Sequence, residues 1–128
     1  MTWNNLTLNP KVMLGYYDQV PTLKDVEIVR INLLQDGPTA EIVFEPKEFP
    51  TTRSSKWPAG ANACQITLRA FALSEIAILH WTTSVIGDLK ISAVPQGVEV
   101  LFQGKGSLRF VCLHIDVAKV IAYLKEDA

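Results

Sequence analysis

Four side chains in this sequence have the widest chemical reach: Cys64, His80, Cys112 and His114. Cys112 and His114 stand two apart, on one face if the stretch is a strand, and Cys64 with His80 would join them if the two strands were neighbours. Such a quartet would suit zinc, and a cysteine beside a histidine would suit nucleophilic catalysis. Pattern argues against both. Structural zinc sites show paired spacings such as C-x-x-C, which this sequence lacks. A nucleophilic thiol needs an exposed, electropositive setting, whereas Cys64 and Cys112 both lie inside apolar strand patterns. They read as buried free thiols, because two distant cysteines in a chain without a secretion signal are seldom bridged. No metal and no cofactor is expected.

Other motifs reduce to structure. Gly104-Lys105-Gly106 is a turn, lacking the helix and the Lys-Ser/Thr pair of a phosphate loop. Trp3, Trp57 and Trp81 could stack nucleobases, but no basic patch accompanies them, and they read as core and loop anchors. Lysine and arginine number 12 against 13 acidic residues, for a formal charge of −1 with no run of like charge, so neither nucleic acid nor a membrane surface is an expected partner. Asp36, Glu41, Glu45 and Glu48 make a loosely acidic side, either a solvated face or a docking surface for a basic partner.

The elements that must position these groups follow from periodicity. At 128 residues, 48% hydrophobic and 20% charged, the chain fits a single domain, 1–128, able to fold alone. The strongest pattern is Asn62 to Trp81, where Cys64, Ile66, Leu68 and Ala70 alternate with Gln65, Thr67 and Arg69 as in a half-buried strand. This stretch reads as a central hairpin: an even number of loop residues near Leu73 and Ser74 puts Ile66 opposite Trp81 and Leu68 opposite Leu79, an odd number flips that register, and Trp81 and Leu68 are expected to be buried together. Asn9-Pro10 starts a short helix to Tyr17. Val26 to Leu34 is a strand whose alternation slips between Ile28 and Val29, from a bulge or from burial on both faces. Asp36-Gly37-Pro38 turns it into Thr39 to Glu45. Pro95-Gln96-Gly97 and Gly104-Lys105-Gly106 divide the later strands as a meander. Asp116 reads as an N-cap, with Val117, Val120, Ile121 and Leu124 at helical spacing behind it. The expected fold is α+β: a mainly antiparallel meander of about seven or eight strands, a short N-terminal helix and a C-terminal helix packed on the sheet. No apolar run approaches a membrane span and no leader pattern opens the chain, so a cytoplasmic setting is expected.

In order and spacing, Trp3, Pro21-x-Leu23-x-Asp25, Asp36-Gly37-Pro38, Phe49-Pro50, Lys56-Trp57, Gln65-x-x-Leu68, Trp81, Phe110-x-Cys112 and Tyr123 together resemble the immunity protein 50 family, predicted antidotes encoded beside bacterial polymorphic toxins. The resemblance runs over nearly the whole chain. It implies a cytoplasmic, non-catalytic protein that binds and neutralises a cognate toxin protein, and it brings no established contact residues. Oligomeric state and toxin chemistry stay open. The alternative is a small-ligand-binding β domain, which would need a closed pocket lined by Trp81, Phe71 or Phe102.

For a partner, the longest loop is the expected contact. It runs through Pro46, Pro50 and Pro58 without periodicity and holds Phe49, Arg53 and Trp57, residue types that often dominate binding energy, with Glu45 and Glu48 beside them. The competing reading has Phe49 and Trp57 folded back as a plug on one end of the sheet.

Overall fold

Three tight hairpin turns, at Gly37, Gly97 and Gly106, each hold a glycine at positive φ, a conformation that other residues resist. The computed structural model describes residues 2–126. A 3-10 turn, Trp3–Leu6, and a single-turn helix α1, Lys11–Leu14, precede the first strand. β1 (Val26–Leu34) and β2 (Thr39–Glu45) form a hairpin around Gly37, whose φ of +116° lies in the left-handed region. Along β1 the register shifts between Ile28 and Arg30, leaving Val29 unpaired: the slip in alternation is a β-bulge. β3 (Ala63–Phe71) adds to β2 with Ala40 opposite Ala70, Ile42 opposite Leu68 and Phe44 opposite Ile66. The rest are β4 (Glu75–Leu79), β5 (Ile86–Val94), β6 (Gly97–Gly104), β7 (Gly106–Cys112) and β8 (His114–Tyr123).

All eight strands belong to one antiparallel sheet, in the order β4-β7-β6-β5-β1-β2-β3-β8. The central hairpin expected from Asn62 to Trp81 is not formed, because β3 and β4 lie far apart in that order. Three residues link them, and Ala72 takes a left-handed φ of +55°, so the chain turns a corner and does not double back. β7 and β8 turn the same corner with only Leu113 between them. Pairing runs through the bend, from Phe71 opposite His114 to Glu75 opposite Val111, with the Leu113 N–H on the Phe71 carbonyl at 3.0 Å and the Ser74 N–H on the Val111 carbonyl at 2.9 Å. The bent ribbon folds β4-β7-β6-β5 over β1-β2-β3-β8. Their inner faces share one core, in which Phe44 and Ile66 come from one half and Phe102 and Phe110 from the other.

The C-terminal segment is a strand, not a helix. β8 pairs with β3 from Ala63–Tyr123 to Phe71–His114, and the register shifts opposite Thr67 and Leu68. Val117 pairs with Leu68 and Lys119 with Thr67, so Ala118 is an extra residue. Ile115 and Val117 point inward before this bulge, and Val120 and Ala122 point inward after it. A bulged strand therefore shows the three-residue spacing of a helix. Asp116 caps nothing; its carboxylate is held by Arg69 through two bonds of 3.2 and 2.9 Å.

The outer edge of β8 is covered by the chain's own N-terminal segment. Thr7 bridges to Ile115 in parallel, the Leu8 N–H donates to the Ile115 carbonyl at 2.8 Å, and the Asn9 amide bonds both backbone groups of Val117 at 2.8 and 2.9 Å. Asn9→Ala leaves that N–H and carbonyl unpaired and should lower stability by about 1–3 kcal/mol in denaturant melts. A loss under about 0.5 kcal/mol would mean that solvent satisfies this edge unaided.

Candidate partner-binding surface

The four groups with chemical reach are dispersed. Cys64 is buried on β3, its Sγ 3.7 Å from the Tyr17 hydroxyl, which donates to the Glu48 carbonyl at 2.8 Å. Cys112 is buried on β7 and points its thiol at the Val98 carbonyl, 3.6 Å away. His80 and His114 are exposed. Among the described residues no three His, Cys, Asp or Glu side chains gather as metal ligands.

Burial sets the acidity of both thiols. It pushes Cys64 and Cys112 up to about 11 from an ordinary 9.0, and the Tyr17 hydrogen bond opposes the shift at Cys64. Burial first, then Cys64 and Glu48, raise Tyr17 above its ordinary value of 10.0. The folded chain thus holds protons that the unfolded chain releases, so this stability is full below about pH 9 and is lost as pH climbs through about 11. Denaturant midpoints should fall across that window, and a Cys64→Val, Cys112→Val double variant should flatten most of the fall. An equal fall in the double variant would mean that other groups set the alkaline limit.

The loop residues expected to bind a partner separate into two groups. Phe49 and Trp57 are half-buried against the core. Trp57 stacks on Tyr16 at 5.5 Å between ring centres and meets Phe49 edge-on at 6.4 Å, while the Arg53 guanidinium lies 4.7 Å above the Phe49 ring and donates to the Ala61 carbonyl at 3.0 Å. Glu48 accepts from the Thr22 N–H and hydroxyl at 3.0 and 3.2 Å through one oxygen, and its other oxygen is buried without a partner among the described residues. Glu45 lies apart, accepting from the Tyr123 hydroxyl at 2.7 Å and Lys125 at 3.0 Å. All five side chains thus have contacts within the chain.

A second surface was not anticipated from sequence. β1 pairs with β5 only at Val26 and Glu27, with the Ile28 N–H reaching the Val85 carbonyl, so beyond the bulge its outer edge is bare. Among the described residues β4 pairs with β7 alone, and all five of its residues are exposed. The two strands line one open, apolar trough made of two adjoining hollows of about 470 and 380 Å³. Ile31 and Leu33 stand opposite Ile42 and Ala40, and Ile76 and Ile78 opposite Phe110 and Leu108. These are inner-face positions, of which Ile31 is partly covered by the core while Leu33, Ile76 and Ile78 are exposed. Trp81, expected beside Leu68 in the core, sits 45% exposed at the trough's end, whereas Leu68 is 2% exposed.

No curated protein and no solved structure matches this chain. Among the described residues no helix is long and apolar enough to cross a membrane. What does match is a family model, and it spans both the half-buried loop cluster and the bare strands: over residues 9–123 the chain fits immunity protein 50, and it belongs to that family.

Proposed function

We propose that this chain is a cytoplasmic, non-catalytic immunity protein that binds a cognate toxin domain and blocks it. The family match over residues 9–123 carries the reading. The site geometry supports it: the thiols are buried with raised pKa values, the histidines lie apart in solvent, and the trough offers contact area. The small-ligand alternative needed a closed pocket lined by Trp81, Phe71 or Phe102. Trp81 is exposed, Phe102 is sealed in the core, and Phe71 is half-buried on the other face of the sheet beneath Arg69.

Two surfaces are candidates for the contact: the Phe49, Arg53 and Trp57 cluster with Glu45 and Glu48, and the trough between β1 and β4. The test of function is rescue. A bacterium expressing the toxin domain encoded beside this chain's gene should stop growing, and co-expression of the chain should restore growth with the two proteins co-purifying in a fixed ratio. Growth arrest that persists despite abundant folded chain would overturn the reading.

A further inference from the structure

We infer that the trough between β1 and β4 is a strand-addition site, filled in the complex by an extended segment of the toxin with alternating apolar side chains and an acidic residue. This rests on the toxin-binding reading and names the surface and the kind of segment that would carry it.

Backbone chemistry identifies the occupant first. The trough is bordered by β1 beyond Ile28 and by β4, each hydrogen-bonded among the described residues to a neighbour on one side only. Unpaired strand edges template another strand, and proteins ordinarily blunt them with lysine, proline or a covering segment. This chain covers its other edge, β8, with Thr7 to Asn9. β4 reads Glu-Ile-Ala-Ile-Leu, with no lysine or proline, and its glutamate is already held by Arg109 at 2.7 Å. A segment lying between β1 and β4 needs both of its own edges free. The β4 of a second copy offers one edge, since β7 occupies the other, so a second copy fills the trough poorly and a single extended segment fills it well.

Side chains narrow the choice further. Ile31, Leu33, Ile76 and Ile78 occupy core-facing positions, so alternate residues of the incoming strand must be apolar to complete the core they face. Charge names one more feature. Arg69 is paired with Asp116, Arg109 with Glu75 and Glu99, and Arg53 lies on Phe49, whereas Arg30, which lines the trough, has no ionic partner among the described residues. A carboxylate on the incoming strand would complement it.

The experiment uses the toxin domain encoded beside this chain's gene, carrying an inactivating substitution, and measures affinity by calorimetry together with amide hydrogen exchange of the full chain. Leu33→Asp and Ile78→Asp replace side chains that are 54% and 37% exposed; both variants should stay folded, with some loss of thermal midpoint at Ile78, while binding weakens at least about 30-fold. Arg30→Glu should weaken it about 10-fold. Amides of residues 30–34 and 75–79 should gain protection in the complex. If the unaltered chain does not bind this toxin domain, the functional reading falls and this one with it. If it binds and the folded variants bind equally well, or protection lies elsewhere, only the strand-addition site is overturned. Loss of binding in Trp57→Ala alone would move the contact to the loop cluster. A stable dimer in light scattering that Ile78→Asp dissociates would make the occupant a second copy and overturn the assignment.

Discussion

Leu68→Ala is expected to lower the unfolding free energy by about 2–5 kcal/mol, whereas Trp81→Ala should change it by less than about 1 kcal/mol. Leu68 lies on β3 and Trp81 follows the end of β4; a hairpin of the two stretches would have buried both on one face. Leu68 is 2% exposed, with Ile42 opposite on one side and Val117 on the other, so truncation removes buried methyl groups and leaves a cavity that two flanking strands cannot close. Trp81 is 45% exposed and loses little on truncation. For a chain of ordinary stability, about 5–15 kcal/mol, the leucine change alone removes a large fraction. Urea melts of both variants decide the matter. Comparable losses would mean that Trp81 turns into the core in solution.

That contrast locates what sequence could and could not convey. Alternation and turn residues are local, and they were legible: the β1–β2 hairpin at Gly37, the slip in alternation at Val29, which a bulge explains and not burial on both faces, and the reversals at Gly97 and Gly104 to Gly106 stand where the residues put them. The partner of a strand is not local. Ala72, Leu73 and Ser74 suit a hairpin loop or a corner, and the corner wins because β7 pairs with β4 and β2 already holds the open side of β3. At the C-terminus, one extra residue at Ala118 converted a period of two into an apparent helical period. The trough was invisible for a related reason. Ile31, Leu33, Ile76 and Ile78 obey the inner-face alternation, and alternation reports which face a side chain takes but not whether the other half of the sheet covers it. Exposure of Phe49 and Trp57 was equally undetermined, since it depends on Tyr16, about forty residues from Trp57 in sequence, folding beneath the indole.

Gly87→Ala should cost about 3 kcal/mol, at the upper end for overpacking, although Gly87 is a strand residue with no unusual backbone angle to protect. A Cβ built there would meet the Gln103 carbonyl oxygen and the Gly104 Cα, and one built on Gly104 would meet the Ile86 carbonyl oxygen and the Gly87 Cα. β5 and β6 thus approach more closely at this pair than any side chain allows, and the obstacles are backbone atoms, which cannot rotate away. Nor can either strand shift alone. β6 is held by β7 through Gly104 opposite Gly106, and Gly87 is paired on its other side with Val26 of β1. That pairing belongs to the seam between the two halves of the sheet, where Val26 and Glu27 meet Gly87 and Ile86 and the Leu89 N–H donates to the Leu23 carbonyl at 2.9 Å. A methyl group at Gly87 therefore strains the joint that sets how far β1 diverges from β5, and with it the width of the trough. Gly15→Ala is the control: Gly15 has φ −75° and only the Val12 carbonyl oxygen at 3.3 Å, so stability should change by less than about 1 kcal/mol. Denaturant melts should separate the two variants clearly, and hydrogen exchange in Gly87→Ala should quicken first at Val26 to Ile28. If Gly87→Ala matches the control, the close approach of β5 and β6 does not constrain the seam between β5 and β1.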